Sequence, residues 1–203
     1  MPRAGAIALL VFGWLAFLVV SSQSLWFDIA VRDQVHAWAS PPLTAVLSAV
    51  TRLGEPAFLT LLTVVVAWWL AAVGRRREAV WLAGATIAAV TGNELLKLLF
   101  HRYRPAAFFG YAEPSSYSFP SGHSLVSCCF YGLLAAILAE RVTSRALRLA
   151  LWSGTVSLVL LIGFSRVYLG VHYASDVAGG YALGLAWAAA MRRRLRPRPN
   201  TLS

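Results

Sequence analysis

Acidic residues are scarce in this chain: eight Asp and Glu among 203 residues, against eighteen Lys and Arg. Charged residues of both signs make up only 13%, where a soluble domain carries about 25%. That shortfall excludes an ordinary water-facing surface. The few carboxylates form no cluster of the kind that holds Mg²⁺ or Zn²⁺. Cysteine is almost missing. The two present, Cys128 and Cys129, are neighbours, so they cannot form an ordinary structural disulfide, and they have no metal-ligand spacing. Lying inside an apolar run, they read as core-packing or lipid-facing residues. The chain has no internal repeat and no separate soluble segment, so it reads as one membrane-embedded unit over 1–203.

Apolar residues are abundant, at 59%. Six apolar segments stand out, at about 4–20, 57–73, 80–100, 123–139, 149–164 and 174–191. Runs of this length are candidate membrane spans, and they predict an all-α polytopic membrane protein with six transmembrane helices. Arg3 ahead of the first run resembles the start of a signal peptide. However, Val-Val-Ser-Ser-Gln-Ser is a poor cleavage site and five further spans follow, so a retained first helix is expected. Between Trp26 and Trp38 the apolar residues recur at helical spacing, and Leu43, Val46, Leu47, Val50 and Leu53 repeat the pattern after Pro41-Pro42. Both stretches are too short to span. They predict two short amphipathic helices at the interface, within an outer loop over 21–56.

The net charge of +10 suggests nucleic acid in a soluble protein; here its distribution assigns it to topology instead. Twelve of the eighteen cations fall on the side of both termini: Arg3, Arg75 to Arg77, Arg141, Arg145, Arg148, and five in the basic tail 192–203. The other side has Arg32, Arg52, Lys97, Arg102, Arg104 and Arg166. Positive-inside bias then places both termini in the cytoplasm of an inner (plasma) membrane protein.

Polar residues gather at the outward ends of three helices in that topology. "NELLKLLFHRYRP" contains Lys97, His101, Arg102 and Arg104; Pro120-Ser121-Gly122-His123 opens the fourth helix; "FSRVYLGVHYASD" contains Arg166, His172 and Asp176. Charges cost about 2.5–3.5 kcal/mol at mid-bilayer, so a buried Asp176 needs a partner. His172, four residues earlier, supplies one on the same helical face. A carboxylate on one imidazole nitrogen fixes the tautomer and leaves the other free to attack. Lys97, Arg104 and Arg166 suit the oxygens of a phosphoryl group, and the helix start at Ser121 and Gly122 suits an anion. The pattern points to phosphoryl transfer through a covalent phosphohistidine, with side-chain cations stabilising the transferring group.

Lys97-x6-Arg104-Pro105, Pro120-Ser121-Gly122-His123 and Ser165-Arg166-x5-His172-x3-Asp176 resemble the three motifs of the type 2 phosphatidic-acid phosphatases, a superfamily related to the vanadium haloperoxidases. The resemblance covers roughly 57–191, with no departure at the motif positions. It implies a membrane lipid phosphatase working without a metal or other cofactor. It implies His172 as nucleophile, oriented by Asp176, and His123 as the acid that protonates the leaving oxygen and later assists water. It implies Lys97, Arg104 and Arg166 as a phosphate clamp, supported by the Ser121 hydroxyl and the Gly122 amide. His101 and Arg102 fall outside these roles and read as solvated loop residues.

The expected partners are the bilayer and a lipid phosphate, with no nucleic acid. Of the substrates the resemblance suggests, a polyprenyl diphosphate of the undecaprenyl type is favoured over phosphatidylglycerol phosphate or phosphatidic acid. A lipid phosphotransferase would use the same site, and a transporter or scaffold would explain the helices but not the motifs. The outer segment 25–53 is a candidate for lipid entry or for covering the site.

Overall fold

The computed structural model describes residues 2–111 and 115–195, and every described element is helical. In chain order these are α1 (Pro2–Val20), α2 (Leu25–His36), α3 (Pro41–Arg52), α4 (Pro56–Ala72), α5 (Arg76–Phe100), α6 (Gly122–Ala139), α7 (Arg145–Tyr168) and α8 (Ala174–Leu195). The starts follow local chemistry. Pro41 and Pro56 sit at the first positions of α3 and α4, where the missing N–H costs nothing. Ser121 and Ser144 cap α6 and α7 with their hydroxyls. α5 ends at His101, a non-glycine residue at φ 48°, whose N–H bonds the Lys97 carbonyl at 3.0 Å.

Two short helices, α2 and α3, occupy the segment between the first and second apolar runs. Among the described residues, four helices, α1, α5, α6 and α7, are long and apolar enough to cross a membrane. The pair α3–α4, bent by 49° between its halves, is long and apolar enough only when taken as one unit. α8 covers the last apolar segment but carries Asp176 in its first turn and two adjacent glycines, Gly179 and Gly180. Of the basic tail expected at 192–203, residues 196–203 lie outside the described residues.

α6 lies at the centre. It packs against α8, α7, α5 and α4, while α1 lies along α8. The main core joins Leu59 and Leu70 of α4, Leu82 and Ala89 of α5, and Val126, Cys129, Phe130 and Leu133 of α6. Both cysteines are buried, which settles them as core residues. Within lipid, close packing rather than the hydrophobic effect draws helices together. Gly180 and Gly184 provide it: a Cβ on Gly180 would sit 2.6 Å from the Ser121 carbonyl, and one on Gly184 2.8 Å from Cys128 Cβ. The α8 backbone therefore rests directly on α6, one turn from Asp176.

A second, smaller core binds the outer segment to the rest. Val35 of α2 and Leu47 of α3 pack with Val167, Tyr168 and Leu169 at the end of α7, and with Val171 and Val177. The end of α5, the start of α6, the end of α7 and the start of α8 thus meet under α2 and α3, at one end of the bundle. Arg75, Arg141 and Arg145 belong to the other end.

Candidate active site

His172 does not share a helix with Asp176, as the spacing suggested; it sits in the turn before α8, which starts at Ala174. The pair still meets, because Asp176 in the first turn folds back to accept the Tyr173 N–H at 2.8 Å. His172 Nδ1 lies 3.4 Å from Asp176 Oδ2 and 3.3 Å from Ser118 Oγ. The Ser118 hydroxyl donates to the same Oδ2, so the ring proton at Nδ1 faces two acceptors. On its other side, His172 Nε2 accepts from Arg104 Nη1 at 2.9 Å. Guanidinium has no acceptor, so this bond assigns the lone pair to Nε2 and the proton to Nδ1. Complete burial lowers the imidazole to about 3; the Asp176 bond opposes that fall and the Arg104 charge adds to it. The ring is neutral, with its basic nitrogen toward a cavity.

That cavity has a volume of about 330 Å³ and is lined by Lys97, Arg104, Gly122, His123, Arg166 and His172, with Glu55 and Glu94 also on its wall. Three helix ends, the 101–111 loop and the turn before α8 therefore bring the expected cations and both histidines together. Arg104 is held by protein on every side: Nε donates to the Ser116 carbonyl at 2.6 Å, Nη1 to the Val171 carbonyl at 2.8 Å, and Nη2 to the Tyr117 carbonyl at 3.1 Å. Lys97, 6% exposed, donates to Glu94 Oε1 at 2.7 Å and Ser116 Oγ at 3.2 Å. Arg166, 2% exposed, donates from Nη1 to Thr51 Oγ1 at 2.8 Å, while its buried Nε has no partner among the described residues. A buried unpaired donor on a cationic side chain is costly and points to an anion that completes it.

Ser121 is placed otherwise than expected. Its hydroxyl is fully buried and caps α6, accepting from the Ser124 N–H at 3.5 Å and hydroxyl at 3.2 Å, and it does not line the cavity. Gly122 does line it. A Cβ there would lie 2.8 Å from Asn93 Oδ1 and 3.8 Å from Lys97 Nζ, so only glycine lets the end of α5 pack this closely on the start of α6. Among the described residues, no group of three His, Cys, Asp or Glu is arranged to hold a metal ion.

Arg102 overturns the solvated-loop reading. Its Nη1 donates to Asp176 Oδ1 at 2.5 Å and Ser175 Oγ at 2.7 Å, and its Nη2 to Asp28 Oδ2 at 2.7 Å. The two carboxylates raise its affinity for the proton against the opposing effect of burial. His101, by contrast, is exposed, with its ring 4.7 Å from that of Tyr117. Sequence reasoning also missed Asp28, Thr51 and Ser118. Asp28 carried a readable signal: it lies on the same stripe of α2 as Val31 and Val35, where an unpartnered carboxylate has no place.

The profile of the PAP2 superfamily matches residues 78–200. The chain is 32% identical over 166 residues to phosphatidylglycerophosphatase B of Bacillus subtilis, covering 78% of each protein. It is 41% identical over 116 residues to decaprenylphosphoryl-5-phosphoribose phosphatase of Mycobacterium tuberculosis, covering 54% of this chain and 57% of that one. The crystal structure of the transmembrane PAP2-type phosphatidylglycerolphosphate phosphatase from Bacillus subtilis superposes with a TM-score of 0.86 at 28% identity, over 93% of this chain and 94% of that one. With the profile over more than half the sequence and a relative at this identity over most of it, the chain is an integral membrane protein that belongs to the PAP2 superfamily.

Proposed function

We propose that this protein is a membrane phosphatase that removes a terminal phosphate from a lipid phosphate or diphosphate through a phosphohistidine on His172. The observation that carries the reading is the His172 ring: Nδ1 bonded toward Asp176 and Ser118, Nε2 turned to the cation-lined cavity 2.9 Å from Arg104. An imidazole, a carboxylate that orients it and a cation-lined cavity within reach of one another support this reading.

The reaction runs in two displacements. A lipid phosphate enters the cavity and takes the Arg104 Nη1–H and the Lys97 ammonium from Nε2 and Glu94; the Arg166 Nε–H gains its missing acceptor. The Nε2 lone pair then attacks phosphorus. As the N–P bond forms, the P–O bond to the lipid breaks, and His123 gives a proton to the departing oxygen. Asp176 stabilises the positive charge developing on the ring. In the second half, His123 takes a proton from water, whose oxygen attacks phosphorus; the N–P bond breaks and returns its electron pair to Nε2, and phosphate leaves. Side-chain cations stabilise the transferring group throughout, in place of a metal.

The same reading gives six spans, α1, α4, α5, α6, α7 and α8, with α2 and α3 at the interface, and a single functional unit over 1–203. Both termini lie in the cytoplasm and the cavity opens on the outer face of the inner membrane. Similarity over nearly the whole chain to a phosphatidylglycerol phosphate phosphatase makes a glycerolipid phosphate the first substrate to test. Similarity to a decaprenylphosphoryl-ribose phosphatase keeps polyprenyl phosphates and diphosphates beside it.

The test is phosphate release by purified protein in detergent from phosphatidylglycerol phosphate, phosphatidic acid and polyprenyl mono- and diphosphates. Turnover with EDTA present, inhibition by vanadate, and loss in His172→Ala are expected. No release from any of them, or strict dependence on Mg²⁺, contradicts the reading.

A further inference from the structure

Asp176 and Asp28 are both fully buried, and Arg102 is the cation between them. Two buried carboxylates without a counter-ion would not stay ionised. The arrangement is a chain: Asp28 Oδ2, Arg102 Nη2 and Nη1, Asp176 Oδ1, then Asp176 Oδ2 to the His172 ring. Asp28 also acts on the helix that carries Asp176. Its Oδ1 accepts the Ser175 N–H at 2.9 Å and its Oδ2 the Ser175 hydroxyl at 2.6 Å. An acidic side chain from α2 thus satisfies a backbone donor in the first turn of α8, where a negative charge is favoured.

Arg102 and Arg104 therefore hold the two ends of one histidine–carboxylate pair. Arg104 meets His172 Nε2 on the cavity side, while Arg102 is directed away from the cavity, toward the far oxygen of Asp176. The Arg102 guanidinium also stacks on Tyr173, its centre 4.4 Å from the ring centroid, which fixes its plane. A point charge could neutralise Asp176; a planar fork bridging two carboxylates also sets its rotation. That rotation decides whether Oδ2 meets Nδ1.

We propose, resting on the phosphatase reading above, that Arg102 is a positioning residue for catalysis, and that Asp28 on α2 holds it. The outer helix α2 is then a brace of the catalytic pair rather than a removable cover. Arg102 acts through Asp176 and touches no substrate, so its loss changes the chemical step and leaves lipid binding alone. With its charge gone, a proton is more easily accepted on His172, and the acid limb of the rate profile moves to higher pH.

The test compares Asp28→Asn, Arg102→Gln and Arg102→Lys with wild type in detergent, with kcat, KM, the pH profile and thermal unfolding measured on each. Misplacement of a catalytic group costs about 10²-fold, and Arg102→Gln is expected to lose about that in kcat, with KM within about twofold. Asp28→Asn keeps an amide oxygen on Arg102 but loses the charge that holds it and sets its NH₂ against the Ser175 N–H; a partial misplacement costing about tenfold in kcat is expected. Arg102→Lys, which keeps the charge, recovers part of the loss and the wild-type acid limb. Should Arg102→Gln not fold, the other two variants carry the same readouts. A folded Asp28→Asn with wild-type kcat and acid limb overturns the proposal, as does a loss confined to KM. If wild type itself releases no phosphate from any lipid, the phosphatase reading fails first; if wild type turns over and Asp28→Asn matches it, only the positioning role fails.

Discussion

Replacing Asp176 by Asn changes one charge and almost no shape, and the hydrogen bonds around the side chain dictate the consequence. Both oxygens of Asp176 meet only donors: Arg102 Nη1 on Oδ1, and Ser118 Oγ, the Tyr173 N–H and His172 Nδ1 on Oδ2. The new amide NH₂ must displace one set. Directed at Arg102 it would set N–H against a buried cation, so the oxygen stays there and the NH₂ faces His172. Nδ1 must then accept, which moves the ring proton to Nε2 and aims it at the cavity. The attacking lone pair is lost. An Asp→Asn change of this kind, which fixes the wrong tautomer in a serine-protease triad, costs about 10⁴-fold in kcat, and a loss of that order is expected here. Fold stability falls far less, because Arg102 keeps Asp28 at 2.7 Å. The assay is phosphate release in detergent, with thermal unfolding measured in parallel. A folded Asp176→Asn within tenfold of wild type would refute the tautomer argument.

Burial holds the His172 imidazole at about 3, below its ordinary 6.5, so the nucleophile is neutral from about pH 4 upward and the acid limb of the wild-type rate profile falls below that. The unfolded chain takes up that proton below about 6.5 and the folded chain does not until about 3, so stability contributed here is present above 6.5 and lost as pH falls through that window; His172→Gln flattens the unfolding slope there. Glu94→Gln frees Lys97 from a pair that is half exposed on the Glu94 side; an exposed pair is worth about 0.2–1 kcal/mol, and vanadate inhibition tightens up to about fivefold by titration. Gly122→Ala places a methyl 2.8 Å from Asn93 Oδ1, and kcat/KM drops about 10²-fold by misplacement at the anion site.

The helices were legible because their apolar runs and caps are local. Pro41, Pro56 and Ser121 mark starts where the structure has them, and the spacing around Leu43 to Leu53 gave α3. The cations and histidines of the cavity were legible because three short motifs contain them. The supports were not. Thr51 reaches Arg166 across 115 residues and Asp28 reaches Ser175 across 147, and no local pattern encodes such a pairing. Arg102 was misread because it lies in a non-helical stretch two residues from Arg104, where charge ordinarily means solvent. Only the buried carboxylate on the Val31–Val35 stripe of α2 hinted that a cation had to come to it. The placement of the Ser121 hydroxyl was hard to read for the opposite reason: a serine at a helix start can serve ligand or helix, and here it caps the helix.

The central claim is that phosphate passes through His172 Nε2. Rapid quenching of the purified protein with a lipid labelled in its terminal phosphate tests it most directly. The account predicts a labelled protein adduct that is stable in base, labile in acid, located on His172, missing in His172→Ala and formed at least as fast as turnover. Full-rate phosphate release by His172→Ala, or turnover in wild type with water attacking the lipid phosphate directly and no adduct at any time, would contradict it.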